Sequence, residues 1–180
     1  VYGKKKSLYE INLSFDPTEF YHLAGFQYLK DLSLLKMSSK KILEAVINRK
    51  ITQQQVEHGQ QYKDMVEPRL IALTYLEQCL DSDFLLYTYR KDFYSFYTSI
   101  AADYLIASET PLSSFAFIIK DGGNMRCDFV CCSTFAEGKR NYRQNQRQCS
   151  LLKKVKVNKA TGERAVLIDN FAKETASANI

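Results

Sequence analysis

The chain changes its hydrophobic period at Asp81-Ser82-Asp83, and that change limits its folds more than any other feature. Before it, apolar residues recur three and four apart, as one helix face requires. Ser39 to Arg49 groups Ile42, Leu43, Val46 and Ile47, and Arg69 to Leu80 offers Leu70, Ile71, Leu73 and Leu80. After it come short stretches rich in β-branched and aromatic residues, separated by turns: "FLLYTYR", "YLIASE", "SFAFIIK", "CDFVCCST", "LLKKVKV" and "RAVLID". Helices followed by an antiparallel meander describe an α+β domain, with the helices packed on one face of a sheet of about four to six strands. At 180 residues the chain suits one packed domain. The expected organisation is a single domain over residues 1–171, helical over 16–80 and sheet over 84–169. Residues 172–180 are expected to form a flexible tail.

Local signals place the element ends. Asp16-Pro17 opens a helix, because Asp is a good N-cap, Pro suits the first helical position and Glu19 sits where a capping box wants a carboxylate. Phe20, Leu23 and Ala24 continue it as an apolar stripe, and Gly25 weakens it or admits another backbone. Thr52 with Gln55 predicts a second capped start, and Glu67-Pro68 a third. Tyr9 to Phe15 alternates weakly, as a short strand does. "DGGN" (Asp121 to Asn124) predicts a tight hairpin and "NKATG" (Asn158 to Gly162) a five-residue one.

Charge is unevenly placed. Of 25 Lys and Arg, 11 fall between Lys120 and Arg164 against four acids, whereas the rest of the chain is slightly acidic. "KRNYRQNQRQCSLLKKVKVNK" (Lys139 to Lys159) carries eight basic residues and no acid. Strand alternation predicts Lys154 and Lys156 on one face, with Val155 and Val157 feeding the core from the other. Basic and amide side chains around Tyr142 suit phosphate contacts and stacking on an unpaired base, so a nucleic-acid partner is expected. The competing reading is a solvated, charged face.

Other classes find little support. No run reaches the roughly 18 apolar residues of a membrane span, and "VYGKKKSLYE" has no apolar signal core, so no membrane partner and a cytoplasmic location are expected. A first residue other than Met leaves room for a longer protein. Five cysteines, an odd number, do not make a disulfide framework. "CDFVCC" lacks a second Cys-x-x-Cys, so Cys79, Cys127, Cys131, Cys132 and Cys149 are expected to be buried apolar thiols, with no metal and no cofactor. "DSD" is not a calcium loop, "KDGGNM" lacks the lysine of a phosphate-binding loop, and Gly-x-Ser-x-Gly does not occur.

Two stretches carry a resemblance. "FDPTEFYHLAGFQYLKDL" supplies Phe20, His22, Leu23, Gly25, Leu29, Lys30 and Asp31. "CCSTFAEGKRNYRQNQ" leads into "LLKKVKV" and "TGERAVLID". Together they resemble, from about Tyr9 to Asp169, a family of predicted phage and mobile-element nucleases grouped with barnase, EndoU, the colicin tRNases and RelE toxins. The resemblance implies helices on an antiparallel sheet and metal-independent RNA cleavage. It also implies tRNA or mRNA as substrate, toxin-like behaviour and an inhibitor or antitoxin protein.

Such cleavage needs a base for the 2′-OH proton, an acid for the departing 5′-oxygen, and groups that steady the developing charge. Imidazole suits the proton transfers, with an ordinary pKa of about 6.5. His22 is therefore the expected acid/base group. Arg140 is expected to stabilise charge with Arg143, Tyr142 to transfer a proton or stack, and Ser133 with Thr134 to hold a phosphate oxygen. Lys139, Arg143, Arg147, Lys154, Lys156 and Lys30 are the expected RNA contacts. Lys30 lies eight residues past His22, about 12 Å along a continuous helix, so sharing a site requires a break at Gly25. His58 is expected at a helix C-terminus, where the dipole favours it. The alternative function is an inactive RNA- or protein-binding module of the same fold.

Overall fold

A computed structural model describes residues 1–4, 7–33, 36–109, 112–122 and 128–171. The expected tail, part of the "DGGN" turn and Cys127 lie outside the described residues. The helical half holds α1 (Phe20–Leu23), α2 (Ser39–Ile47), α3 (Gln53–Glu57), α4 (Glu67–Thr74) and α5 (Leu76–Asp81). The strands are β1 (Tyr2–Lys4), β2 (Ser7–Tyr9), β3 (Asn12–Ser14), β4 (Leu85–Thr88), β5 (Tyr104–Ser108), β6 (Ser114–Lys120), β7 (Asp128–Ala136), β8 (Arg147–Leu151), β9 (Lys153–Val157) and β10 (Arg164–Asp169). The α+β class stands.

Both predicted capping boxes form. Asp16 accepts from the Thr18 amide at 2.9 Å while Glu19 accepts from the Asp16 amide at 3.2 Å, and Thr52 and Gln55 exchange the equivalent pair. His58 ends α3 with its Nδ1 2.6 Å from the Gln54 carbonyl oxygen. The helix predicted over Arg69 to Leu80 is instead two. Thr74 Oγ1 donates back to the Leu70 carbonyl at 2.9 Å, and the turn at Tyr75 separates α4 from α5.

Eight strands pair in the order β2-β1-β8-β4-β5-β6-β7-β3, all antiparallel except β3 with β7. Arg147–Leu151, most of which lies outside the strands expected from the sequence, is a full sheet member that pairs Leu86 with Cys149. β9 and β10 form a separate two-stranded ribbon. Val155 and Val157 therefore do not feed the core, because among the described residues no layer covers that face of the ribbon. They remain 39% and 48% exposed.

The sheet buries two chemically different faces. Leu23 of α1 packs with Ile106, Ile118 and Cys131 on the helical face. On the opposite face Tyr87, Tyr89, Leu105, Phe115, Phe117 and Tyr142 make an aromatic cluster, covered by loops rather than helices. A bulge places Cys132 as an extra residue opposite the Phe117–Ile118 step, so Ser133 pairs with Phe117 and shares the aromatic face. Cys79, Cys131 and Cys149 are buried. Cys132 is half-buried, its thiol pushed up to about 11 by burial.

Candidate functional site

The aromatic face is sealed by two segments that clip to each other. Gln146 Oε1 accepts from the Arg90 amide at 2.7 Å, and its Nε2 donates to the Arg90 carbonyl at 3.1 Å. Asn145 Nδ2 donates to the Phe93 carbonyl at 3.1 Å, and Tyr94 Oη to the Tyr142 carbonyl at 2.6 Å. Amide side chains that suit base recognition in the sequence are thus engaged in closing a loop.

Tyr142 sits at the centre of this lid, 6% exposed, with ring centroids of Phe96 and Phe117 at 5.2 Å and Phe135 at 5.4 Å. Its ring is packed in the core, so the stacking role expected of it is corrected. Ser133 is buried beside it. Arg140 is exposed but laid across the Phe96 ring at 5.2 Å, with Nη1 donating to the Tyr97 carbonyl at 3.2 Å.

Several expected RNA contacts have intramolecular partners. Arg143 pairs with Glu109 at 2.6 Å and Glu137 at 3.1 Å. Lys156 pairs with Glu77 at 2.6 Å and Asp81 at 2.7 Å. Lys154 reaches the C-terminal carbonyls of α5, donating to Leu80 at 2.9 Å, Asp81 at 3.1 Å and also Ser82. Its ammonium lies 4.7 Å from the Phe84 ring centroid, and burial holds its pKa below the ordinary lysine value. The sequence's basic face is here the clamp that fixes the β9–β10 ribbon to α5, because helix C-termini favour cations. Lys30, Lys139 and Arg147 remain exposed.

His22 is exposed on α1, its ring edge-on to Tyr21 at 5.2 Å. No hydrogen bond or ring contact among the described residues joins it to Arg140, Tyr142 or Ser133. Its helix packs on the helical face through Leu23, whereas those three belong to the aromatic side. Among the described residues no hydrogen bond or ring contact gathers all four expected catalytic groups.

A residue that sequence reasoning passed over lies between the two faces. Arg69, near the start of α4, follows one π-helical turn at Tyr62–Val66, an irregularity frequent at functional sites. It is 8% exposed, and no carboxylate among the described residues pairs with it. Nη1 donates to the Met65 carbonyl at 2.5 Å, and Nε is buried without a partner. The guanidinium carbon lies 5.0 Å from the Tyr28 ring centroid and 5.5 Å from that of Phe135. Burial lowers its pKa, while Tyr28 and then Tyr142 act in the opposite sense. Gly25 makes room for it. At φ +78° its backbone is left-handed, and a Cβ there would stand 2.7 Å from Arg69 Cδ and 2.8 Å from the Met65 oxygen. The Gly25 amide in turn donates to the His22 carbonyl at 3.1 Å. The imidazole-bearing turn is therefore packed directly on the buried guanidinium.

Two clefts elsewhere hold none of the expected catalytic residues. One of about 690 Å³ is lined by Arg90, Lys91, Asp103 and Lys120, and the other of about 620 Å³ lies between α5 and β9. Among the described residues no group of three or more His, Cys, Asp or Glu is arranged to hold a metal ion, and no helix is long and apolar enough to cross a membrane.

No curated protein and no solved structure matches the chain. One family model does, over residues 1–170, and it is described as phage-Barnase-EndoU-ColicinE5/D-RelE like nuclease4. Helices on one face of a mainly antiparallel sheet, together with a match over nearly the whole length, assign the chain to a family: it belongs to the phage-Barnase-EndoU-ColicinE5/D-RelE like nucleases, PBECR4.

Proposed function

We propose that this nuclease cuts RNA without a metal ion and that His22 carries the proton transfer. One observation carries the reading: His22 is exposed on a turn fixed at both ends. The Asp16–Glu19 capping box holds its entry, and the Gly25 contact with Arg69 holds its exit. An exposed imidazole on a rigid support meets the geometric need of an acid/base group, which must reach a substrate hydroxyl without moving far. The step takes a proton from the 2′-OH as its oxygen attacks phosphorus, and delivers a proton to the departing 5′-oxygen. It leaves a 2′,3′-cyclic phosphate and a 5′-hydroxyl. Single-stranded segments of tRNA or mRNA are the proposed substrate, approached across exposed Lys139 and Arg147, with an inhibitor protein as the proposed regulator of a toxin-like enzyme in the cytoplasm.

The second reading, an inactive binding module, draws support from the burial of Tyr142 and Ser133 and from the internal pairing of Arg143, Lys154 and Lys156. One assay separates them. Total RNA incubated with excess protein in EDTA yields cyclic-phosphate ends under the nuclease reading. His22→Ala then lowers the rate by about 10²- to 10⁴-fold. Intact RNA with the wild-type protein overturns that reading and leaves the binding module.

A further inference from the structure

The cleft of about 690 Å³ collects cations that the fold itself does not use. Arg90 and Lys91 follow β4, Lys120 ends β6, and all three are exposed in the cleft wall. Arg143, Lys154 and Lys156 have carboxylate or carbonyl partners, whereas among the described residues the side chains of these three have none. Their backbones are nevertheless fixed. Gln146 holds the Arg90 amide at 2.7 Å and its carbonyl at 3.1 Å, and Asp103 Oδ2 accepts from the Lys120 amide at 2.8 Å. Unpartnered charge on a rigid backbone suits a ligand site, because little ordering cost remains to be met on binding.

The wall is not uniformly basic, and this narrows the ligand. Asp92 and Asp103 also line it, so a bare anion would meet carboxylates as well as cations. Half-buried Tyr104, edge to face with Phe129 at 5.4 Å, adds aromatic surface. A nucleotide matches all three features. Its phosphate accepts from Arg and Lys, its amino groups and sugar hydroxyl donate to carboxylates, and its base stacks on a ring. The volume falls in the roughly 300–1,000 Å³ range of ligand pockets. Thr88, another wall residue, stands opposite Arg147 in the β4–β8 register, and its Oγ1 donates to the Arg147 carbonyl at 3.4 Å. The cleft therefore adjoins one of the exposed cations on the proposed path of the RNA.

We infer that this cleft seats a nucleotide of single-stranded RNA, with phosphate on Arg90 and Lys120 and a base against Tyr104. The choice of an RNA chain rests on the nuclease reading above; the site itself rests on the unpartnered cations and the ring that share one cleft.

The test is binding of the intact chain to a labelled, short single-stranded 2′-O-methyl oligoribonucleotide, which the proposed chemistry cannot cut, followed by fluorescence anisotropy. Arg90→Gln and Lys120→Gln are each expected to weaken binding about 3- to 10-fold and to flatten the plot of log K against log salt by about 0.7. Lys63→Gln removes the same charge from an exposed pair with Glu67 at 2.6 Å and is expected to keep wild-type affinity. Wild-type affinity in both cleft variants, or an equal loss in Lys63→Gln, overturns the proposal. Tyr104→Leu is expected to lose about 5- to 100-fold, and an unchanged affinity there overturns the base contact. Should that variant fail to fold, the exposed Arg90 and Lys120 decide alone. Adenosine 5′-monophosphate separates a free nucleotide from a chain. It is expected to compete only at far higher concentration, and competition at the concentration of the oligomer overturns the chain as ligand. Oligomer binding that depends on Arg90 and Lys120, with no RNA cleaved in EDTA, would sink the nuclease reading and spare the site. RNA cleaved by a protein whose cleft variants bind as the wild type does would do the reverse.

Discussion

Two regions of the molecule hold cations against helices, and they treat them oppositely. At the β9–β10 ribbon, Lys154 and Lys156 find carbonyls and carboxylates on α5, so their charge is satisfied within the fold. At the edge of β7 beside Phe135, Arg69 is more deeply buried and, among the described residues, has a single carbonyl partner and no carboxylate. The ribbon is where the sequence looks functional; the edge is where the structure leaves chemistry unfinished. A run of like charge in a sequence reports a surface, and only the partners in space say whether that surface is free.

The largest effect tests the edge. Gly25→Ala forces a side chain into left-handed backbone and against Arg69, and should cost about 3 kcal/mol in denaturant-monitored stability. A loss under about 0.5 kcal/mol would mean that the contact is loose. At the ribbon, Lys154→Met removes the donor to three carbonyls and should cost about 1.5 kcal/mol while leaving RNA affinity unchanged. Weaker RNA binding would return Lys154 to the interface. Salt dependence sharpens the contrast. If only three or four exposed cations such as Lys30, Lys139 and Arg147 meet phosphates, log K against log salt should have a slope of about −2 to −3. Engagement of the whole basic run would steepen it to about −5 to −6. The smallest effect is Arg143→Ala, where a part-exposed pair with Glu109 and Glu137 should contribute about 0.5 kcal/mol.

Much of the fold was legible because its signals are local. Asp16-Pro17 with Glu19, and Thr52 with Gln55, name their own helix starts, and the change of period after Asp83 marks the boundary between helices and sheet. Nothing local distinguished β8: "RQCSL" has no β-branched residue, and its strand character comes from pairing with β4 and β1. The exposure of Val155 and Val157 was equally hidden, since alternation fixes which side chains share a face but not whether anything covers it. His22 was legible as a candidate through the family motif. Arg69 was not, because it lies at an ordinary position in a helical pattern. The groups that bury it, Gly25, Tyr28 and Phe135, are dozens of residues away in the chain.

The most direct measurement is single-turnover cleavage of a short single-stranded RNA in EDTA, comparing the wild-type protein with His22→Ala at matched folded concentration. Loss of the acid/base imidazole predicts a rate lower by about 10²- to 10⁴-fold, with cyclic-phosphate products in the wild type. Equal rates for the two proteins would contradict the account, because the chemistry would then proceed without the imidazole.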